Sequence, residues 1–547
     1  MLARFVPLVT LFTLIGLVAE PRPVLQAQQG GSGGPPLLVR IRSIDSLVTD
    51  AKWLAKLAGE EESGAQLEGL LQTFIGDKAI DTKKPIGLYG AIGPNGLDSS
   101  LVVMVPIIQQ KEFLKLLDQH NVAVTPDKQD AGLHGYTAGD GAVKGFLRFA
   151  NGYAYITNDK AATVDAKRIL GPSAVFDPKD QAAVSVVLRI GDVPKQLKET
   201  FLTKFKEELD KAKEQKAENE TPVQAKLKVA MLDGFLQQAR SLLNDGNELA
   251  LRFDIDRKAG ELSADLSLSS QPKSKLEATI AGLQAKSVTA GTVGSDSAIN
   301  FTVNVSLSEG LKKAFGPAID EGIAAAIKEQ QERKTGNPEA AEKFLKVLTP
   351  TLKAGELDFA VTMRGPNAAN KYALLAGMKV RDGLAVENAF RDIVKLLKPE
   401  EQAKIKLDAE KIGTVNVHRF EVTRDFDKRA RDMFGEGPLF IAVKPEAVYF
   451  TVGDNALDVL KEALAAQPTS ASIVQLEMSL RRFVALLAAE QPEAAKAAEQ
   501  VFKNSDGDKV RMVLQGGKSL KARFSMQADV VRFFIEAGKL KKDGADK

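Results

Sequence analysis

Four stretches of this chain repeat one order of elements, and that repetition limits the possible fold more than any other feature. Residues 37–42, 183–190, 299–306 and 473–478 are apolar or alternating runs of strand length. Each precedes a long amphipathic helical stretch, then two strands joined by a polar turn, then another helix. The turns are Pro94-Asn95-Gly96, Asp256-Arg257-Lys258-Ala259, Gly365-Pro366-Asn367 and Gly516-Gly517-Lys518. Such residues supply the positive or preset φ that hairpins need. The closing helices are expected over 109–119, 273–286, 384–397 and 528–537.

Two of the four units carry an extra segment. Residues 146–170 and 440–464 align without a gap, matching Phe146 with Phe440, Tyr155 with Tyr449, Thr157 with Thr451 and Leu170 with Leu464. Each reads as strand, turn, strand, helix. His134 (in LHGYTA) and His418 (in VHRFEV) precede these segments at similar spacing. Candidates for a role shared between the repeats are therefore His134, His418, Tyr155 and Tyr449. The chain divides into a long unit (37–175), a short unit (180–290), a second long unit (297–467) and a second short unit (471–540). Strands that arrive in hairpins, not in βαβ alternation, imply an α+β fold: duplicated units of antiparallel β-hairpins with helices packed on one face.

Local signals agree. Ser43 is placed to cap a helix carrying Leu47, Ala51 and Leu54 on one face. Leu197, Phe201, Phe205 and Leu209 form one stripe. After a charged stretch from Lys211 to Glu220, Thr221 caps and Pro222 opens a helix bearing Leu227, Met231, Phe235, Ala239 and Leu242. The two stripes imply a helical hairpin with buried facing sides. Residues 288–296 read as a linker between the halves.

The N-terminus has the layout of a secretory signal peptide: Arg4, an apolar run from Phe5 to Ala19, and a polar stretch ending Leu25-Gln26-Ala27. Residues 1–27 are read as that signal, cleaved near Ala27, and 28–36 as a flexible linker; an uncleaved anchor is the alternative. Export to the periplasm or the exterior follows. No second apolar run approaches ~18 residues, so no membrane span is expected in the mature chain.

Composition removes several chemistries. The 547 residues include no cysteine, which excludes thiol nucleophiles, disulfides and cysteine-based zinc sites. Lys and Arg number 74 against 71 Asp and Glu, too even a balance to favour nucleic acid. The three histidines show no metal-binding spacing. Ser270-Gln271-Pro272-Lys273 and Lys334-Thr335-Gly336 echo a serine–lysine acyl enzyme, but 274–333 lack the S-x-N element that belongs between them. Gly517-Lys518-Ser519 sits in a hairpin, with Met512 where a phosphate loop needs its first glycine. The pairs Asp254/Asp256 and Asp506/Asp508 complete no calcium loop. No catalytic, cofactor or metal residue is assigned.

The strings VRIRSIDSLVTDAKWLAKLAG, IDTKKPIGLYGAIGPNGLDS, FLRFANGYAYITND and ELALRFDIDRKAGELSADLSL resemble an uncharacterised family of secreted proteins from planctomycete-type bacteria, a domain of unknown function. The resemblance covers most of 37–290. It implies export and the long-plus-short arrangement, and it brings no catalytic residues. The expectation is an exported, non-catalytic envelope or extracellular scaffold or binding protein with an unknown partner. Two alternatives stand beside it: a carrier of an apolar ligand such as lipid in a sheet–helix groove, and a hydrolase with a dispersed acidic site.

Overall fold

The structure, a computed structural model, describes residues 35–75, 78–91, 100–139, 141–215, 220, 222–283, 285–292, 294, 296–307, 309–333, 338–421, 423–488, 490–503 and 506–545. The expected signal peptide lies outside the described residues, as do most of the following linker, the turn Pro94–Gly96, the cap Thr221, and Lys334–Gly336. No helix among the described residues is long and apolar enough to cross a membrane.

The chain forms two compact units. The first contains β1 (Leu37–Ile41), α1 (Ile44–Ala58), α2 (Glu61–Ile75), β2 (Ile86–Ala91), β3 (Ser100–Pro106) and α3 (Gln110–Gln119). A meander follows: β4 (Ala123–Pro126), β5 (Leu133–Ala138), β6 (Val143–Ala150) and β7 (Tyr153–Thr157). Next come β8 (Val184–Arg189), the long helices α4 (Lys195–Glu214) and α5 (Pro222–Asp245), and the hairpin β9 (Gly246–Asp256) and β10 (Glu261–Ser270). Residues Phe205–Ser241 of α4 and α5 belong with the second unit. All pairings are antiparallel, in the order β10-β9-β8-β1-β2-β3-β7-β6-β5-β4.

The second unit adds α6 (Lys275–Gly282), β11 (Ser297–Ser306), α7 (Glu309–Arg333), α8 (Pro338–Ala354), β12 (Glu356–Arg364), β13 (Ala373–Lys379) and α9 (Gly383–Leu396). Its meander is β14 (Ile405–Ile412), β15 (Val415–Phe420), β16 (Leu439–Lys444) and β17 (Ala447–Gly453), closed by α10 (Ala456–Ala465). Then come β18 (Val474–Ser479), α11 (Leu480–Leu486), α12 (Pro492–Phe502), β19 (Lys509–Gln515), β20 (Leu520–Gln527) and α13 (Ala528–Ala545). The order is β20-β19-β18-β11-β12-β13-β17-β16-β15-β14, strand for strand that of the first unit. The fold is α+β, with antiparallel hairpins repeated in duplicated units.

Short polar side chains start the helices by taking otherwise unpaired N–H groups. Ser43 Oγ accepts from Ser46 N at 3.0 Å, and Asp382 Oδ1 from Ala385 N at 2.9 Å. Gly59 ends α1 at φ 73°, a conformation that glycine adopts without penalty. Helices line one face of each sheet. In the second unit Leu480, Val484, Val501, Phe502 and Phe533 of α11–α13 pack on Met478, Val510 and Met526. The exception is α10, which covers the opposite face of the meander, against Leu375, Val417, Ala442 and Tyr449.

Three expectations change. Residues 160–170 contain a single 3-10 turn, Ala161–Val164, where a helix was expected. Arg148, only 5 % exposed, lies in β6 beneath it. Its Nε donates to the Val164 carbonyl, and its guanidinium pairs with Asp130. The aligned residue in β16 is Ala442, whose small side chain leaves room for α10. Secondly, 288–296 is no free linker. Ser287, Thr289 and Thr292 are buried. Asp358 accepts from Ser287 Oγ at 2.7 Å, Val288 N at 2.7 Å and Thr289 Oγ1 at 2.5 Å. Thirdly, the hairpin helices form but their stripes are not core: Phe235 is 54 % exposed, and Phe201 and Met231 are exposed too. Helix α5 instead turns Leu236 and Gly234 inward; a Cβ on Gly234 would lie 2.7 Å from Leu311.

Candidate functional site

The sequence candidates fall at matching places in the two units. His134 in β5 opposes Leu147, and His418 in β15 opposes Ile441. Tyr155 in β7 opposes Arg148, and Tyr449 in β17 opposes Ala442. The spacing of the histidines differs in sequence because the β15–β16 connection is longer than the β5–β6 one, yet the strand register is the same. Both tyrosines are fully buried and use their hydroxyls structurally: Tyr155 donates to the Leu170 carbonyl at 2.9 Å, Tyr449 to that of Val288 at 3.1 Å. Burial pushes the Tyr449 phenol up to about 12. These are anchors, and the structure does not bring them together with the histidines as a reactive set. His134 is buried with its ring edge-on to Phe149 at 5.4 Å.

His418 is different, because charged groups surround it. Its side chain is fully buried, under the Phe390 ring at 5.2 Å. Nδ1 accepts the Asp408 backbone N–H at 3.1 Å, so the neutral ring carries its proton on Nε2. That Nε2 is buried without a hydrogen-bond partner, 3.8 Å from Glu387 Oε1. Nδ1 lies 3.9 Å from Asp408 Oδ1. Arg391 ties the two acids from outside. Its Nη2 reaches Glu387 Oε1 at 2.6 Å and Asp408 Oδ1 at 2.5 Å, and its Nη1 reaches Asp408 Oδ2 at 2.7 Å. Asn416 Nδ2 also donates to Glu387, at 3.3 Å. The Arg391 hydrogen bonds hold Asp408 below its ordinary value of 3.8. Burial, and then the Arg391 charge, pull His418 below 6.5.

Glu387, Asp408 and His418 each offer an atom within 4.8 Å of the others, close enough to share a cation. The geometry does not fit a metal. The two ring nitrogens face different carboxylates, and a metal takes one nitrogen lone pair. The carboxylate oxygens nearest the ring already bind a guanidinium. Sequence reading missed this group. Its only signal was Glu387 and Arg391 at helical i,i+4 spacing, since Asp408 joins through an irregular stretch of β14–β15 pairing between Lys406 and Glu410.

A second feature is a surface. On β11 the polar Asn300, Thr302 and Asn304 are buried, while the alternating Ile299, Phe301, Val303 and Val305 are only half-buried. On β12 Asp358 and Thr362 are buried, while Leu357 stays exposed and Phe359 and Val361 half-buried. Alternate residues share a face, so the helix-bearing face is apolar and incompletely covered. Across it runs a row of directly opposed residues: Phe524, Met512, Leu476, Phe301, Val361, Ala376 and Phe450, none fully buried. The first unit has the same row on the same strands: Leu266, Leu251, Val186, Val39, Leu88, Val103 and Ile156. Seven strands at about 4.8 Å spacing make each row roughly 29 Å long.

No protein-family model matches the chain, and no curated protein matches it. A solved structure described as "Structure of crystal form IV of TP0453" aligns at 12 % identity over 44 % of this chain and 78 % of that chain, with a TM-score of 0.22. Neither fold nor function follows from a likeness at that level.

Proposed function

We propose that the protein is an exported, non-catalytic binding protein whose working surface is the apolar face of its sheets, and that its ligand is a hydrocarbon chain such as that of a lipid. The row of seven opposed apolar side chains, present in each unit and not fully covered, carries this reading. The sole heteroatom among those side chains is the Met512 sulfur, a weak acceptor at most, so neither row selects a ligand by strong hydrogen bonds or charge. A hydrocarbon chain needs neither. Half of a bilayer's hydrocarbon thickness is roughly 15 Å, so a row of this length accommodates an acyl chain. Export rests on the signal-like order of residues 1–27 and on the resemblance to secreted planctomycete-type proteins, in the periplasm or outside the cell. The repeated strand order supports an internal duplication of the long-plus-short unit. The acidic group around His418 gives hydrolysis no support, because Arg391 occupies both carboxylates.

The test is extraction of the protein, purified without detergent, into organic solvent, with mass spectrometry of the extract and titration with a fluorescent fatty acid. Bound lipid, and probe binding weakened at least about tenfold by Phe301→Glu together with Leu476→Glu, are expected. Circular dichroism shows whether that variant keeps its fold. An empty extract with no probe binding overturns the reading. Probe binding indifferent to the substitutions does so too, and retention of an envelope protein on the same face would assign the surface to a protein partner.

A further inference from the structure

We propose that His418 is a proton-operated switch: on taking a second proton its ring gives up the Asp408 backbone N–H and donates to the carboxylates of Glu387 and Asp408, competing with Arg391 for them. The edge of the imidazole that holds both nitrogens faces the two acids, Nε2 at 3.8 Å from Glu387 and Nδ1 at 3.9 Å from Asp408. Only a doubly protonated ring has an N–H for each. In the neutral state the Nε2–H is buried and unpartnered, an arrangement that costs free energy and that a small ring movement would relieve. The charges favour the second proton as well. Two carboxylates face one guanidinium, and a charged imidazole brings the group to neutrality.

Burial and Arg391 oppose it, so the exchange belongs to mildly acidic solution, not to neutral pH. The charged groups acting on the ring are Glu387 and Arg391 from α9 and Asp408 from β14. The neighbouring strand β16 presents Ile441, and Phe390 covers the ring face. The proton comes from solvent and no covalent bond changes. The mechanical consequence falls on Asp408, which sits at φ 51° within the irregular part of the β14–β15 pairing. A protonated Nδ1 no longer accepts its N–H, and that segment loses the bond that holds it.

The experiment uses the full chain with isotope-labelled histidine. Three histidines give three imidazole signals, and His418→Asn identifies the one concerned. Spectra are followed from about pH 8 to about pH 5, the range over which histidine titrates. The expected result is an Nε2–H tautomer at high pH that becomes doubly protonated in one step below 6.5. The Asp408 amide should lose protection, relative to its intrinsic exchange rate at each pH, with the same midpoint. Arg391→Gln should raise that midpoint by about half a unit or more, and Glu387→Gln should lower it. Either variant alone suffices if the other fails to fold. A ring that stays neutral until global unfolding overturns the proposal, as does an Nδ1–H tautomer or a midpoint indifferent to both substitutions. A saturating response to zinc at neutral pH would also overturn it, in favour of a metal ligand.

Discussion

Arg391 grips Asp408 through two parallel N–H···O bonds, at 2.5 and 2.7 Å, and so ties α9 to the bulged strand β14. Bidentate pairs of this kind are the stronger class of ion pair, but both partners here are partly exposed and solvent screens them. Asp408→Asn is expected to cost about 1 kcal/mol in urea denaturation. The contribution has a definite pH sign. Asp408 is held below 3.8 in the fold, so its stabilisation is present above that value and lost as pH falls through the lower folded value. The Asn variant should therefore lose less stability than the parent on acidification through that range.

Arg148 and Ala442 predict opposite failures at one aligned position. Arg148→Ala leaves the buried Val164 carbonyl without its donor, for about 2 kcal/mol. Ala442→Arg drives a guanidinium into the cluster of Val459, Leu460 and Ala463 and should displace α10. Thermal denaturation measures both, and limited proteolysis near 456–465 should detect the second change selectively.

Asp358 is the fixed point of 287–292. Replacing it by Ala removes the acceptor of three hydrogen bonds in a buried setting and should cost about 3 kcal/mol. Cleavage between Ser287 and Thr292 by an added protease should become fast in the variant, whereas the parent resists there.

The tyrosines predict alkaline behaviour. Burial raises Tyr89, Tyr136, Tyr153, Tyr372 and Tyr449 from 10 to about 12. A raised folded value means the unfolded chain loses these protons first. Stability is then intact below 10 and falls as pH rises toward 12. Tyrosinate absorbance should appear together with loss of circular dichroism, in one transition, not as a titration of the intact fold.

The order of elements was readable because strands and amphipathic helices have different periods, and because each unit repeats the other's pattern. The seams were not. At 160–170 the chain forms a 3-10 turn whose Val164 carbonyl takes the Arg148 N–H, a partner many positions away in sequence. The sequence 288–296 looks like a linker for its Gly, Ser and Thr, yet Thr289 and the preceding Ser287 are drawn in by Asp358, an acid in an alternating strand. The hairpin stripes failed differently: amphipathic spacing finds an apolar side of a helix but does not tell whether the fold covers it. His134 and His418 occupy matching strand positions in the two units. What distinguishes His418 comes from Glu387, Arg391 and Asp408, distant in sequence and joined only by the packing of α9 on β14–β15.

The centre of each sheet has a consequence for how the molecule comes into being. Val39 lies early in the chain, yet its partner Val186 is separated from it by a whole meander, and Phe301 waits in the same way for Leu476. Pairings between such distant segments form late and slowly. Neither sheet can close around its first strand until nearly its whole unit has been made.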